Sequence, residues 1–206
     1  MNVVAKPCPV GARGVDSLAF SRSGTAEQAR ALKAAGVDFV ALYLGVASKA
    51  LNDTCLSAGL QTCGVTLADQ FDGARAVSQM QALGMPAGTC AFVDVEGPSI
   101  CAMSSTDLIA KINAWADVVN VNYVAGIYVG EPQPLTSDEL TALKVVRYWR
   151  APSRIVDRRG QLAEPSPGWC VVQAWPSVTC EGVLVDFDFV YADHKGRLPL
   201  MATAEG

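Results

Sequence analysis

Short apolar runs rich in Val, Ile, Phe and Tyr alternate with stretches of helical period along the first two thirds of the chain. Residues 14–20 (GVDSLAF) predict a first strand. Thr25 followed by Gln28 fits a capping box, and the helix it opens ends at Gly36. Residues 38–45 (DFVALYLG) form the second strand, 52–58 a weaker helix, and 64–68 a short third strand. Asp72 caps a helix through Leu83, stopped by Gly84 and Pro86. Residues 89–95 (TCAFVDV) form the fourth strand. Ser104 opens a helix whose apolar residues Leu108, Ile112, Trp115, Ala116 and Val119 share one face. Residues 123–129 (YVAGIYV) form the fifth strand, and Thr136 with Glu139 makes a second capping box.

After that helix the pattern changes. Residues 145–149 read as a strand and 151–168 as a loop containing Pro152, Pro165 and Pro167. Residues 169–175 (WCVVQAW) and 183–191 (VLVDFDFVY) are two more strands. Eight strands and about five helices result, with no helix late in the chain. Buried strands separated by helices pair in parallel through right-handed crossovers, and eight of them can close into a barrel. A doubly wound open sheet is the alternative. No domain boundary, repeat or low-complexity segment interrupts the pattern, so one domain is expected, with its core over about residues 14–191.

Composition sharpens this. Half of the 206 residues are hydrophobic and 17% are charged, which argues against disorder and suits strands buried on both faces. Charged and polar residues break each apolar stretch, so no membrane span is expected. Residues 1–14 lack the apolar segment of a signal peptide. A net charge of −4 without Lys/Arg clusters disfavours nucleic acid as a partner. The seven cysteines include no CxxC. They read as buried thiols. The rival reading pairs Cys55 with Cys63, Cys90 with Cys101 and Cys170 with Cys180 in an oxidising compartment.

The candidate chemistry is carboxylate chemistry. In Phe92-Val-Asp-Val-Glu96, Asp94 and Glu96 share one face at the end of a strand that is otherwise apolar. Acids are costly to bury there unless the strand ends at an active-site mouth. A solvated strand end is the plainer explanation. Asp16 interrupts the first strand, and Asp186 and Asp188 share a face of the last. First and last strands are neighbours in a closed barrel, so these acids would converge. Glycoside hydrolysis needs such a set: one protonated acid and a second carboxylate at the oxocarbenium-like centre. Divalent metal binding is a rival use of the same acids. Tyr43, Tyr128, Trp149 and Trp175 fall near strand ends, where aromatic faces could bind sugar or simply pack the barrel. The single histidine, His194, lies on a charged segment, which disfavours Ser-His or Cys-His schemes. Glycine-rich phosphate loops are absent.

These motifs in order, Gly14-Val-Asp16, Val93-Asp-Val-Glu96, Ala125-Gly-Ile-Tyr128, Tyr148-Trp-Arg-Ala151, Val172-Gln-Ala-Trp175 and Val185-Asp-Phe-Asp188, resemble the lysozymes of glycoside hydrolase family 25. They resemble still more the bacterial and phage glycoside hydrolase-like domains related to those enzymes. The resemblance implies a TIM-like (β/α)5β3 barrel, with Glu96 as general acid and Asp94 assisting the oxocarbenium or an N-acetyl group. Asp16 and Asp186 would position substrate and tune the acid. Tyr43, Tyr128, Trp149, Gln173, Trp175 and Asp188 would line the substrate site. The chain departs from the lysozymes at Ser17-Leu-Ala-Phe20, where they are polar, and at Asp188, where they tend to carry Asn.

The expected function is that of a monomeric glycosidase acting on peptidoglycan or a related bacterial glycan, without cofactor or metal. It would be made in the cytoplasm and reach the wall after release or in a delivered particle. A non-catalytic glycan-binding or structural barrel of a phage or secretion particle is the alternative.

Overall fold

The computed structural model describes residues 1–131, 135–152 and 155–205, with backbone only at 175 and 176. In chain order the elements begin with strands β1 (Asn2–Pro7) and β2 (Arg13–Asp16), then helices α1 (Leu18–Ser23) and α2 (Ala26–Ala34). Next come β3 (Phe39–Tyr43), α3 (Lys49–Ser57), β4 (Gln61–Val65), α4 (Gly73–Ala82) and β5 (Cys90–Val95). A short helix α5 (Pro98–Cys101) precedes α6 (Ser105–Val119), β6 (Val124–Val129), α7 (Ser137–Thr141) and β7 (Arg147–Arg150). The chain ends with β8 (Val171–Cys180), β9 (Val183–Val190) and β10 (Leu200–Glu205).

Strands β2 to β9 close into an eight-stranded barrel, because β2 pairs with both β3 and β9 while β4 pairs with β5. The open-sheet alternative is thereby excluded. Pairing is parallel from β2 round to β8. The last strand, β9, runs antiparallel to both neighbours. It follows β8 through a tight turn at Glu181 and Gly182, whose φ values of 50° and 76° have the signs of a type I′ hairpin.

The alternation of each strand sends one face outward to the helices and one into the barrel. Val40, Leu42, Val93, Ile127 and Val185 face outward and pack with Leu32, Met80, Ile112 and Trp115 from the helices. The interior holds Phe39, Ala41, Cys63, Val65, Cys90, Phe92, Trp149, Cys170 and Val171. Two glycines make room for its rings. A Cβ on Gly14 would lie 2.0 Å from the Phe39 ring, and one on Gly126 2.5 Å from the Phe92 ring.

Several boundaries differ from the sequence expectation. The first strand stops at Asp16, because the Ser17 hydroxyl accepts the Phe20 backbone N–H and starts α1. Helix α3 begins earlier, at the Ser48 cap. The third barrel strand covers 61–65 instead of 64–68. Its polar start conceals it: the buried Thr62 hydroxyl donates to Asn52 Oδ1 at 2.7 Å, and Asn52 donates to the Leu83 carbonyl at 2.9 Å. Strand β8 runs on to Cys180, well past residue 175. Strands β1 and β10, outside residues 14–191, pair with each other over six positions, and β10 joins the barrel edge at Ala202–Thr62. Part of the loop expected over 151–168 lies outside the described residues.

None of the seven cysteines, all among the described residues, forms a disulfide, in keeping with the thiol reading. No described helix is long and apolar enough to cross a membrane.

Candidate active site

Active sites of such barrels form where the parallel strands end. Asp16 and Tyr43 are the last residues of β2 and β3. Asp94 is the penultimate residue of β5, and Glu96 follows the strand's end. Strand β9 runs the other way, so its mouth-side residues come early. Asp186 sits directly opposite Asp16, and Asp188 lies deeper, opposite Gly14.

These side chains surround a cavity of about 190 Å³ lined by Asp16, Tyr43, Asp94, Glu96, Tyr128, Trp149, Gln173 and Asp186, together with Val65 and Ser177. The structure thus brings together eight of the ten residues singled out in the sequence. Asp188 does not line the cavity. It is fully buried, and its Oδ1 accepts the Trp149 indole N–H at 2.9 Å. Trp175 has its backbone opposite Phe187, and its side chain lies outside the described residues.

The acids are held by a chain of donors. The Tyr43 hydroxyl donates to Asp16 Oδ1 at 3.0 Å, and Gln173 Nε2 donates to Asp16 Oδ2 at 3.4 Å. Gln173 in turn accepts the Tyr128 hydroxyl at 3.0 Å. The Trp149 ring stands edge-on to Phe92 and Tyr128, with centroids 5.4 Å and 4.9 Å away, which fixes its orientation.

Burial and mutual repulsion keep protons on this cluster. Burial, then the Asp186 charge, pushes Asp16 up to about 7, against the opposing Tyr43 hydrogen bond. Burial and the charges of Glu96 and Asp16 push Asp94 up to about 8. Glu96, half-buried at the mouth, is raised by burial and by Asp186 while Tyr128 opposes the shift. Asp94 Oδ1 and Asp186 Oδ1 are buried without a hydrogen-bond partner. In a mouth open to ligand, such orphan acceptors mark places for donors from outside.

Sequence reasoning missed three contributors. Thr66 Oγ1 accepts the Asp94 backbone N–H at 3.1 Å. Gly130, just past β6, leaves space for Glu96: a Cβ there would fall 2.4 Å from Glu96 Cβ and Oε2. Ser177 reaches the cavity from the long β8 arm. A glycine immediately after an apolar strand was the one available signal. Among the described residues, no three His, Cys, Asp or Glu side chains come together in a way that could hold a metal ion.

Comparison with known proteins agrees with the geometry. The catalytic domain of endolysin ply40 from bacteriophage P40 of Listeria monocytogenes superposes with a TM-score of 0.56, at 14% identity, over 88% of this chain and 94% of that one. GHIP, a glycosyl hydrolase 25 of Streptococcus pneumoniae described as a virulence factor in host cell invasion, gives a TM-score of 0.59 at 12% identity, over 87% of each chain. At those identities the likeness is one of fold. No curated protein matches the sequence. Residues 13–148, which run from β2 into β7 and include Asp16, Asp94 and Glu96, match the family described as Rv2525c-like, glycoside hydrolase-like domain, and the chain belongs to that family.

Proposed function

We propose that the chain is a glycosidase that hydrolyses peptidoglycan or a related bacterial glycan, with Glu96 as general acid. The observation that carries this is the convergence of Asp16, Asp94, Glu96 and Asp186 on one aromatic-walled cavity, with Glu96 raised and at the open edge. A raised carboxyl at the mouth can stay protonated and give its proton to the leaving oxygen. Asp94, more deeply set, faces the same space with an unpartnered oxygen that can accept a substrate N–H, and in its ionised form it can support the oxocarbenium-like centre. Asp16 and Asp186 orient the sugar, and Asp186, after burial, helps to raise Glu96. Tyr43, Tyr128, Trp149 and Gln173 wall the site, and the rings offer faces to sugar C–H groups.

The two structural relatives, an endolysin catalytic domain and a glycosyl hydrolase 25, support a glycan as the ligand class. Release through a membrane pore or delivery in a particle would bring the protein to the wall.

The test is digestion of purified peptidoglycan by the wild type and by Glu96→Gln, with fragments identified by mass. Muropeptides with new reducing ends from the wild type alone are expected, since a general acid contributes roughly 10²–10⁴-fold. Equal release by both would remove Glu96 from that role. No release by either folded protein would make the barrel a glycan-binding or structural module.

A further inference from the structure

The acid-lined cavity does not end at the barrel mouth. A second cavity, of about 370 Å³, shares Asp16, Tyr43 and Asp186 with it and continues along α1. Its far side changes character. Leu18 and Leu184 are large apolar residues left 38% and 56% exposed, and both line it. Arg22, one turn beyond Leu18, lines it too. Among the described residues that line the two cavities, Arg22 is the one cation. None of the ion pairs among the described residues involves it.

The cleft therefore has opposite ends. The inner end presents four acids and no cation, so it offers an anion no counter-charge, and any acid there that is ionised repels it. The outer end presents an uncommitted guanidinium beside an apolar floor. A guanidinium binds planar or tetrahedral oxyanions through paired N–H donors. A wholly neutral glycan would leave that charge unused, and an acidic group at the inner end would find no cation to pair with.

We propose that this outer cavity is a binding subsite for an acidic substituent, a carboxylate or a phosphate, on the sugar unit next to the one held at the acid cluster, and that Arg22 recognises it. The inference rests on the glycan-binding reading of the acid cluster and names the charge class of the glycan.

The test is calorimetric binding to the Glu96→Gln protein, so that turnover cannot intervene. Three oligosaccharides of equal length serve as probes. They are a neutral N-acetylglucosamine oligomer, the same oligomer phosphorylated at O6, and a peptide-free strand alternating N-acetylglucosamine with N-acetylmuramic acid, whose lactyl carboxylates are free. At least one acidic probe binds roughly fivefold tighter than the neutral one, the scale of one solvent-accessible ion pair. The tighter of the two identifies the substituent. Arg22→Gln brings acidic and neutral probes level, Arg22→Glu reverses the preference, and added salt narrows it in the parent protein. A purely structural Arg22, complementing the end of α1, would shift melting temperature and leave the ratio alone. Equal binding of all three probes, or a preference that survives Arg22→Gln, overturns the proposal. Because the readout is binding, absence of hydrolysis would sink the glycosidase reading without touching this result.

Discussion

Trp149 donates its indole N–H to Asp188 Oδ1 at 2.9 Å, on a carboxyl that is wholly buried one step deeper in β9 than Asp186. Burial comes first and the charge of Asp16 second in driving Asp188 well above the ordinary carboxylate range. Asp188 thus sits as a neutral acid beneath the acid cluster, accepting the Trp149 N–H through Oδ1. An amide can replace a protonated acid in that role. Asp188→Asn should stay within about 1 kcal/mol of the wild type, whereas Asp188→Ala strands the Trp149 donor and opens a void, costing roughly 2–4 kcal/mol. Urea unfolding of both variants checks this. If Asn is as damaging as Ala, the neutral-acid assignment is wrong.

The same buried acids set a pH dependence for stability. Asp16 and Asp94 have folded values of about 7 and about 8 against 3.8 for the ordinary group. Between about pH 4 and pH 8 the folded chain therefore holds protons that the unfolded chain has released. Stability must fall as pH rises through that window, by up to about 1.4 kcal/mol per pH unit for each group. Asp193, held low chiefly by its hydrogen bonds to Arg197, works in the opposite sense and loses its contribution below the ordinary carboxylate range. The melting temperature should be higher at pH 5 than at pH 8. Asp94→Asn should flatten the difference. A melting temperature that climbs from pH 5 to pH 8 would contradict these protonation states.

Much of this site was legible in the sequence, for a physical reason. A carboxylate in a strand made otherwise of Val, Ala and Phe is costly, so Asp94, Glu96, Asp16 and Asp186 stand out against their neighbours. Alternation then fixes which of them share a face. The less legible features depend on partners distant in sequence. Gln61 and Thr62 look too polar for a barrel strand, yet Thr203 and Asn52 satisfy them. Strands β1 and β10 are short and far apart in the chain, and only their mutual pairing makes them a unit. Asp188 has the same local pattern as Asp186. Its depth follows from the antiparallel direction of β9, which periodicity does not encode.

The cysteines give a prediction independent of activity. Cys8, Cys63, Cys90 and Cys170 belong to the packed interior of the barrel, and Cys55 is on the buried face of α3. Burial is the leading cause that raises Cys8, Cys55 and Cys170 to about 12, far from the reactive thiolate. Cys101 and Cys180 are partly exposed. Titration with a thiol reagent should therefore find two accessible groups in the native protein and all seven after unfolding without reductant. A total short of seven would reveal a disulfide.

Gly130 offers the sharpest separation of catalysis from folding. Its backbone lies outside the left-handed region, so alanine is sterically allowed there as far as the main chain is concerned. What alanine meets is Glu96, with the new Cβ 2.4 Å from both its Cβ and its Oε2. The carboxylate end can swing away, but Glu96 Cβ is anchored by the β5 backbone, so the side chain must tilt from its place at the mouth. Because that mouth is open, the tilt displaces little packed core, and the stability loss should stay near 1–2 kcal/mol. The catalytic loss should be much larger in relative terms, since misplacing a reacting group by about 1 Å costs on the order of 10²-fold. Gly130→Ala should therefore melt within a few degrees of the wild type while losing most of its hydrolysis of purified peptidoglycan. A variant that remains fully active would mean that the acid which protonates the leaving group is not Glu96 in the position seen here.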